Sequence, residues 1–264
     1  MFPTTASALA ALCYCLSAFL IFKQLGNARQ RWVALLPATI AVMLQALALN
    51  LLIILPDGLN LGFFTSFSLI AWLISIQILL SSLYRRIESL GIVVFPISGL
   101  GGLIASLHFD DHLITTSNNA VQGHIMVSII AYSLITLGAF QAGLLAYQDR
   151  SIKQHHPGGF IRFLPPLHDM EVLLFQFLGF GFLCLSASLL TGFFYLEDIF
   201  AQHLVHKTVL SIIGWVILGV LLFGRFRFGW RGRTAIRWTL SAFAFLMLAF
   251  FGSKLVLEVI LQRV

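Results

Sequence analysis

Charged residues are scarce in this chain: Asp, Glu, Lys and Arg together make up 10% of its 264 residues. A soluble domain of this size needs charged faces between its apolar segments, and this sequence does not supply them. Apolar residues instead make up 59% of the chain, and the mean hydropathy is +0.95. The composition therefore excludes the soluble globular class and predicts an α-helical protein that crosses a membrane several times.

Paired cysteines and catalytic motifs are lacking as well. The three cysteines, Cys13, Cys15 and Cys184, all lie inside apolar runs, and no CxxC pair is present. This pattern excludes a disulfide framework and a thiol-exchange site. The sequence contains no catalytic triad, phosphate-binding loop or pair of intramembrane carboxylates. It therefore favours a function without catalysis.

Long apolar runs are the main feature that the sequence does have. Each is about 20 residues long, which is the length of a helix that crosses a bilayer core. We predict a single membrane domain over residues 1–264, an all-α bundle of eight transmembrane helices. Pro96 and the glycines of residues 99–102 are expected to kink or thin the fourth helix. The predicted spans are 3–22, 32–55, 61–84, 89–108, 119–148, 168–195, 206–224 and 235–261.

The basic residues predict the orientation of these spans. Thirteen of the sixteen Lys and Arg residues fall in one alternating set of loops. The other loops and the far tail hold Lys207, Lys254 and Arg263 together with several acidic residues. Because cytoplasmic loops are enriched in Lys and Arg, the basic set is expected inside and both termini outside. We expect a multi-pass protein of a bacterial inner (plasma) membrane, with the lipid bilayer as its constant partner.

One apolar span, residues 123–138, carries a regular row of polar side chains. His124, Ser128, Tyr132 and Thr136 follow one another at steps of four, so they share one side of a helix. Lipid offers these groups no hydrogen-bond partner, and the row is therefore expected to face other helices or a cavity.

Five histidines are expected near the outer face. Neutral imidazole is a ligand for haem iron and for divalent metals, so two of them could supply axial ligands from opposite sides. The alternative is that they are ordinary hydrated loop residues, since no pair has the spacing of a metal motif. The five are His108, His112, His124, His203 and His206.

Arginine and aromatic residues alternate in the segment 225–233. In a soluble protein this pattern would suggest a nucleic-acid partner. Between two membrane spans it is better explained by contacts with anionic headgroups and by aromatic residues at the membrane interface. We therefore expect no nucleic-acid partner.

Several short motifs in the second half of the chain point to a known family. They are Leu164-Pro165-Pro166-Leu167 followed by Glu171, Gly179-Phe180 with Thr191-Gly192, His206-Lys207-Thr208 through Trp215, Gly229-Trp230-Arg231-Gly232-Arg233, and Phe251-Gly252. Together they resemble the CcsA-type cytochrome c assembly family of haem-handling membrane proteins, in its short YpjD-like branch. The likeness is good over residues of about 120–260. In the first half of the chain it is limited to the pattern of helices.

This resemblance implies haem as the cofactor and suggests which residues would hold it. His124 falls where the family has its first external haem-ligating histidine. His206 is the candidate for a second ligand, and Lys207 is the candidate partner for a haem propionate. No separate metal site is implied.

The sequence also departs from the family pattern. Residues 195–209 contain no tryptophan and residues 257–264 contain no histidine. The expected places of two intramembrane histidines hold Gln45 and the Gly224-Arg225 pair. These departures keep two alternatives open. One is a non-enzymatic membrane partner or regulatory subunit, for example of an ion transporter, that has lost haem binding; the other is a small-solute carrier that uses the polar row.

Overall fold

The chain folds almost entirely into helices. A computed structural model describes residues 2–24, 31–55, 58–85, 87–108, 113–114, 119–154, 164, 166–195 and 202–252. Within these residues, eight helices are long and apolar enough to cross a membrane, which confirms the predicted polytopic helical class. The helices are α1 Phe2–Lys23, α2 Arg31–Ile53, α3 Phe63–Tyr84, α4 Gly91–Leu107, α5 Asn119–Lys153, α6 Leu167–Tyr195, α7 Gln202–Phe228 and α8 Gly232–Met247.

The predicted boundaries are close to the observed ones at most helix ends. A 3₁₀ turn, Glu88–Leu90, precedes α4, and a π-helical turn, Leu248–Gly252, continues α8. The last part of the predicted eighth span, 253–261, lies outside the described residues. The helices fall into two compact units with four helices each, a first unit Met1–Thr116 and a second unit Ser117–Val264.

In the first unit, α1 packs against α2 and α4, and α3 packs against α4. α4 runs through Pro96 as one helix. Its glycines serve helix packing: a Cβ atom on Gly99 would come within 2.8 Å of the Ala11 Cα atom on α1. The GLGG run thus permits close helix approach, as small residues do in membrane helices.

A buried polar cluster joins α2, α3 and α4. The Gln45 side chain, 1% exposed, places its Nε2 atom 3.1 Å from Ser68 Oγ and 3.3 Å from the carbonyl oxygen of Ser98. Ser98 Oγ in turn lies 2.8 Å from Ser75 Oγ. At the position where the family resemblance expects an intramembrane histidine, this chain has an amide that links three helices.

A small antiparallel sheet that the sequence did not predict also belongs to the first unit. Its strands are β1 Ile54–Leu55, β2 Gly58–Asn60 and β3 Leu113–Ile114, in the order β1-β2-β3. Leu59 of β2 pairs with Ile54 on one side and Ile114 on the other. Strands of two or three residues are too short to show the alternating pattern by which strands are recognised in a sequence.

The second unit is an antiparallel arrangement of α5 to α8. α5 packs mainly on α6, α8 contacts both α5 and α7, and α6 contacts α7. Between α6 and α7, the rings of Phe182 and Trp215 stack with their centroids 5.5 Å apart. The Trp215 indole N–H donates to Ser186 Oγ at 2.8 Å. Trp215, one of the motif residues, thus holds two helices together.

The turn between α7 and α8 explains the motif of residues 229–233. Gly229 and Gly232 have φ angles of +67° and +55°, a backbone conformation that side chains disfavour. The Trp230 ring lies on Gly224, where a Cβ atom would come within 2.4 Å of it. The Gly232 N–H donates to Glu171 Oε1 at 2.8 Å, which fastens the turn to α6.

Candidate functional site

The polar row on α5 faces neighbouring helices of the second unit. Of its four members, His124 and Ser128 both hydrogen-bond to α6. Tyr132 is 6% exposed, and its ring contacts that of Phe250 at a tilt of 40°, with a centroid distance of 4.9 Å. Thr136 Oγ donates back to the Tyr132 carbonyl oxygen at 2.7 Å. The expectation that this row faces protein is confirmed for the first three positions.

His124 is half-buried, and its ring is oriented by Thr191 on α6. The Nδ1 atom lies 3.1 Å from Thr191 Oγ1. The Thr191 hydroxyl oxygen also lies 2.8 and 3.0 Å from the carbonyl oxygens of Ala187 and Ser188. If the hydroxyl donates its one hydrogen to either carbonyl, its oxygen accepts from His124 Nδ1–H. Nε2 then carries the lone pair, which is the form of neutral imidazole that ligates a metal.

A second pair of hydroxyl groups lies one turn further along the same interface. Ser128 Oγ is 2.6 Å from Ser188 Oγ and donates to the carbonyl oxygen of His124 at 2.7 Å. With its own hydrogen used in that way, Ser128 accepts from Ser188. The hydroxyl chain therefore fixes the backbone that bears His124 as well as the spacing of α5 and α6.

Lys207, near the start of α7, adds a positive charge to this end of the second unit. Its ammonium nitrogen lies 5.2 Å from the centre of the Phe250 ring, within the range of a cation–π contact. Phe250 in turn contacts Tyr132 of the α5 row, with ring centroids 4.9 Å apart. Lys207 therefore lies near the side of α5 that also bears His124.

His206 occupies a different position from its neighbour in the chain. Its side chain is exposed, whereas the Lys207 side chain is half-buried. Successive residues of a helix are about 100° apart around its axis, so one of two neighbours turns toward the bundle and the other away. Lys207 therefore turns toward the bundle, where it contacts Phe250, whereas His206 turns away from it.

The other histidines that the sequence predicts near the outer face belong to both units. His108 belongs to the first unit, where its ring lies 4.9 Å from that of Phe64. His112 and the side chain of His203 lie outside what the structure describes. Over the described ranges, no three His, Cys, Asp or Glu side chains come together as a metal site would require. The chemistry available at His124 is that of a single imidazole ligand with a nearby cation.

Comparison with known proteins identifies the family. The family model described as "Cytochrome C assembly protein" matches residues 32–261, which covers most of both units. The chain belongs to this family. The resemblance seen in the sequence motifs is therefore confirmed at the level of the family.

Curated relatives of this cytochrome c assembly family member come from bacteria. The "Inner membrane protein YpjD" of Escherichia coli K12 is 31% identical over 260 residues, 96% of this chain and 97% of the relative. An "Uncharacterized 28.8 kDa protein in nifR3-like 5'region" of Azospirillum brasilense is 39% identical over 140 residues, 52% of either chain. No solved structure gives a significant match. The chain is a multi-pass protein of the bacterial inner membrane.

Sequence reasoning missed Thr191 and Ser188 as partners of the α5 row. Thr191 was visible in the Thr191-Gly192 motif, but nothing in the sequence aligned it with His124, 67 residues earlier. Ser188 lies three residues before Thr191 and therefore on the same side of α6. The signal available in the sequence was this pair of polar residues, three positions apart and near the end of an apolar span.

Proposed function

We propose that this protein handles haem for cytochrome c assembly and that His124 is its haem ligand. The observation that carries the proposal is the 3.1 Å contact between His124 Nδ1 and Thr191 Oγ1, in which we assign Nδ1–H as the donor. A metal-ligating histidine characteristically donates its second ring N–H to a fixed acceptor, which sets the tautomer and the ring orientation. With Nδ1–H donating to Thr191, the Nε2 atom of His124 carries the lone pair and can act as a ligand.

The surroundings of His124 suit haem as a cargo. Haem offers an iron that takes imidazole ligands, a large apolar ring and two anionic propionates. Lys207 supplies the cation for a propionate, and its place above Phe250 keeps the charge next to an aromatic surface. Membership of the cytochrome c assembly family supports the same class of cargo. In this proposal Thr191 orients the imidazole, and the Ser128–Ser188 pair keeps α5 in register with α6.

His206 is the proposed second ligand. Its exposed position on α7 places it one residue from Lys207, at the end of the unit where His124 lies. The two histidines would contribute differently to haem binding. A hydrogen bond orients the His124 ring in advance, whereas the His206 ring is exposed and is not oriented in this way. Removal of His206 should therefore weaken haem binding less than removal of His124.

Haem titration of the purified protein tests this proposal. The wild type should develop a Soret band, His124→Ala should lose it, and His206→Ala should bind haem with lower affinity and a shifted band. His168→Ala is the matched control, because His168 is an exposed histidine at the opposite end of α6. Thermal unfolding confirms that each variant is folded. Equal haem spectra for wild type and folded His124→Ala would refute the assignment.

A second candidate function is that of a non-enzymatic membrane partner or regulatory subunit. The exposure of His206 favours this alternative. In the described part of the chain, it leaves His124 as a single, hydrogen-bonded histidine at this site. Under this alternative, mild extraction should recover the chain with a stable membrane partner. The purified chain should also show no haem absorbance before or after titration with haem.

A further inference from the structure

A basic pocket lies at the end of the second unit opposite to His124. It encloses about 420 Å³ between the end of α5 and the beginning of α8. His124 and Asp149 are 25 positions apart on one helix, which separates the two ends by about 37 Å. The pocket is thus distinct from the site proposed for haem. Its charged lining residues are Asp149, Arg150, Lys153, Arg233 and Arg237.

The positive charges of this pocket exceed the negative ones. Four cationic side chains and one carboxylate line it, a formal balance of +3. Asp149 bonds to Lys153 Nζ at 2.6 Å and to Arg233 Nε at 3.4 Å. One carboxylate cannot neutralise both, and the Lys153 and Arg233 side chains remain 54% and 67% exposed. The pocket can therefore accept a further anion.

The same side of α8 continues from the pocket as an apolar stripe. Arg233 and Arg237 are followed at steps of three or four by Leu240, Ala244 and Leu248, and all five are exposed. Such spacing keeps the residues on one side of a helix. Leu240 is 40% exposed and Leu248 is 59% exposed. Basic residues at the head of an apolar stripe match a molecule with an anionic head and an apolar tail.

We propose that this pocket binds the phosphate headgroup of an anionic phospholipid, whose acyl chains lie along the α8 stripe. Arginine suits this ligand, because its planar guanidinium can donate two parallel hydrogen bonds to phosphate oxygens. Basic pockets between membrane helices are general sites for anionic headgroups. A soluble phosphate compound would satisfy the cations but leave the stripe unused, and for this reason the lipid is favoured over it.

A matched pair of double variants separates the pocket from general positive charge. Arg150→Gln with Arg237→Gln removes two cations from the lining and leaves the Asp149 ion pairs intact. Lys23→Gln with Arg85→Gln removes two exposed cations of the first unit, outside the pocket. Both double variants have the same net charge. Thermal unfolding in a mild detergent shows whether each is folded.

The experiment measures binding of phosphatidylglycerol and of phosphatidylcholine to the full chain by native mass spectrometry. The wild type should retain phosphatidylglycerol in preference to phosphatidylcholine. The pocket variant should bind it at least ~10-fold more weakly, since each cation near an anionic lipid contributes a severalfold effect. The first-unit variant should stay within about twofold of wild type. Millimolar inorganic phosphate should not displace the lipid.

Three results would overturn the proposal. Equal losses in the two double variants would show that net charge, and not the pocket, governs lipid retention. If the wild type showed no preference for the anionic lipid, the basis of the proposal would be lost. Displacement by inorganic phosphate would assign the pocket to a soluble anion. Haem absorbance is unaffected in every case, because the pocket and His124 are at opposite ends of α5.

Discussion

The Nδ1 atom of His124 on α5 lies 3.1 Å from the hydroxyl oxygen of Thr191 on α6. The two residues come from antiparallel helices that form the main interface of the second unit. A shift of either helix by one turn would move the partners about 5 Å apart. The orientation of this imidazole thus depends on the helix pair and not on the histidine alone.

Replacement of Thr191 by Val tests the orienting bond. Valine keeps the shape of threonine but cannot accept from His124 Nδ1–H. We expect haem affinity to fall by about 10- to 100-fold, the usual effect of losing such a partner. Haem titration followed at the Soret band measures it. Thr191→Ser keeps the hydroxyl and should stay within a few-fold of wild type; a Val variant that binds like the Ser variant would contradict the role given to this bond.

A Gly224→Ala substitution tests the turn between α7 and α8. The added Cβ atom would lie 2.4 to 2.8 Å from atoms of the Trp230 ring, so the ring must move. Overpacking of this kind costs about 1–3 kcal/mol, and thermal unfolding in detergent should show a lower midpoint. Gly143→Ala on α5 is the control, because no atom lies within 4 Å of its added Cβ. Equal midpoints for the two variants would disprove the close contact.

The amide of Gln45 should contribute to the stability of the first unit. Gln45→Met keeps the length of the side chain and removes its hydrogen bonds to Ser68 and Ser98. Interhelical hydrogen bonds in membranes contribute about 0.6–2 kcal/mol, so a loss of that size is expected in unfolding experiments. Gln176→Met is the matched control, because Gln176 is exposed. The control should be neutral, and an equally neutral Gln45→Met would exclude a stabilising amide.

The orientation predicted from the arginine distribution can be tested with reporter fusions. Alkaline phosphatase joined after residue 264 should be active, because both termini are expected outside, whereas green fluorescent protein joined there should stay dark. Fusions truncated after Phe228 should behave oppositely, since that end of α7 is expected in the cytoplasm. The reverse pattern would invert the whole assignment, including the proposed outer position of His124.

The sequence predicts the helices of this protein far better than their contacts. Apolar runs long enough to span a bilayer were sufficient to find eight helices, because the membrane restricts the chain to that choice. The same runs contain nothing that sets the register of α5 against α6, so Thr191 could not be assigned to His124. His206 and Lys207 show the finer limit. They are adjacent in the sequence, and only the rotation of α7 decides which of them turns toward the bundle.

Glycine and short strands show two further limits. The run at residues 99–102 suggested a weakened helix, yet Gly99 serves as a contact with Ala11 across α1 and α4. A glycine that breaks a helix and one that allows two helices to touch look the same in a single sequence. The sheet around Leu59 depends on pairing with Ile114, 55 positions later, and two-residue strands carry no pattern of their own.

The length of α5 has a consequence for how the protein meets the water around it. At 1.5 Å per residue its 35 residues measure about 52 Å, whereas a bilayer core is about 30 Å thick. Even a tilt of 40°, the upper end of the usual range, leaves it spanning about 40 Å. At least one end of this helix therefore stands clear of the hydrocarbon, where soluble proteases, cross-linkers and cytoplasmic or periplasmic proteins can reach it without entering the membrane.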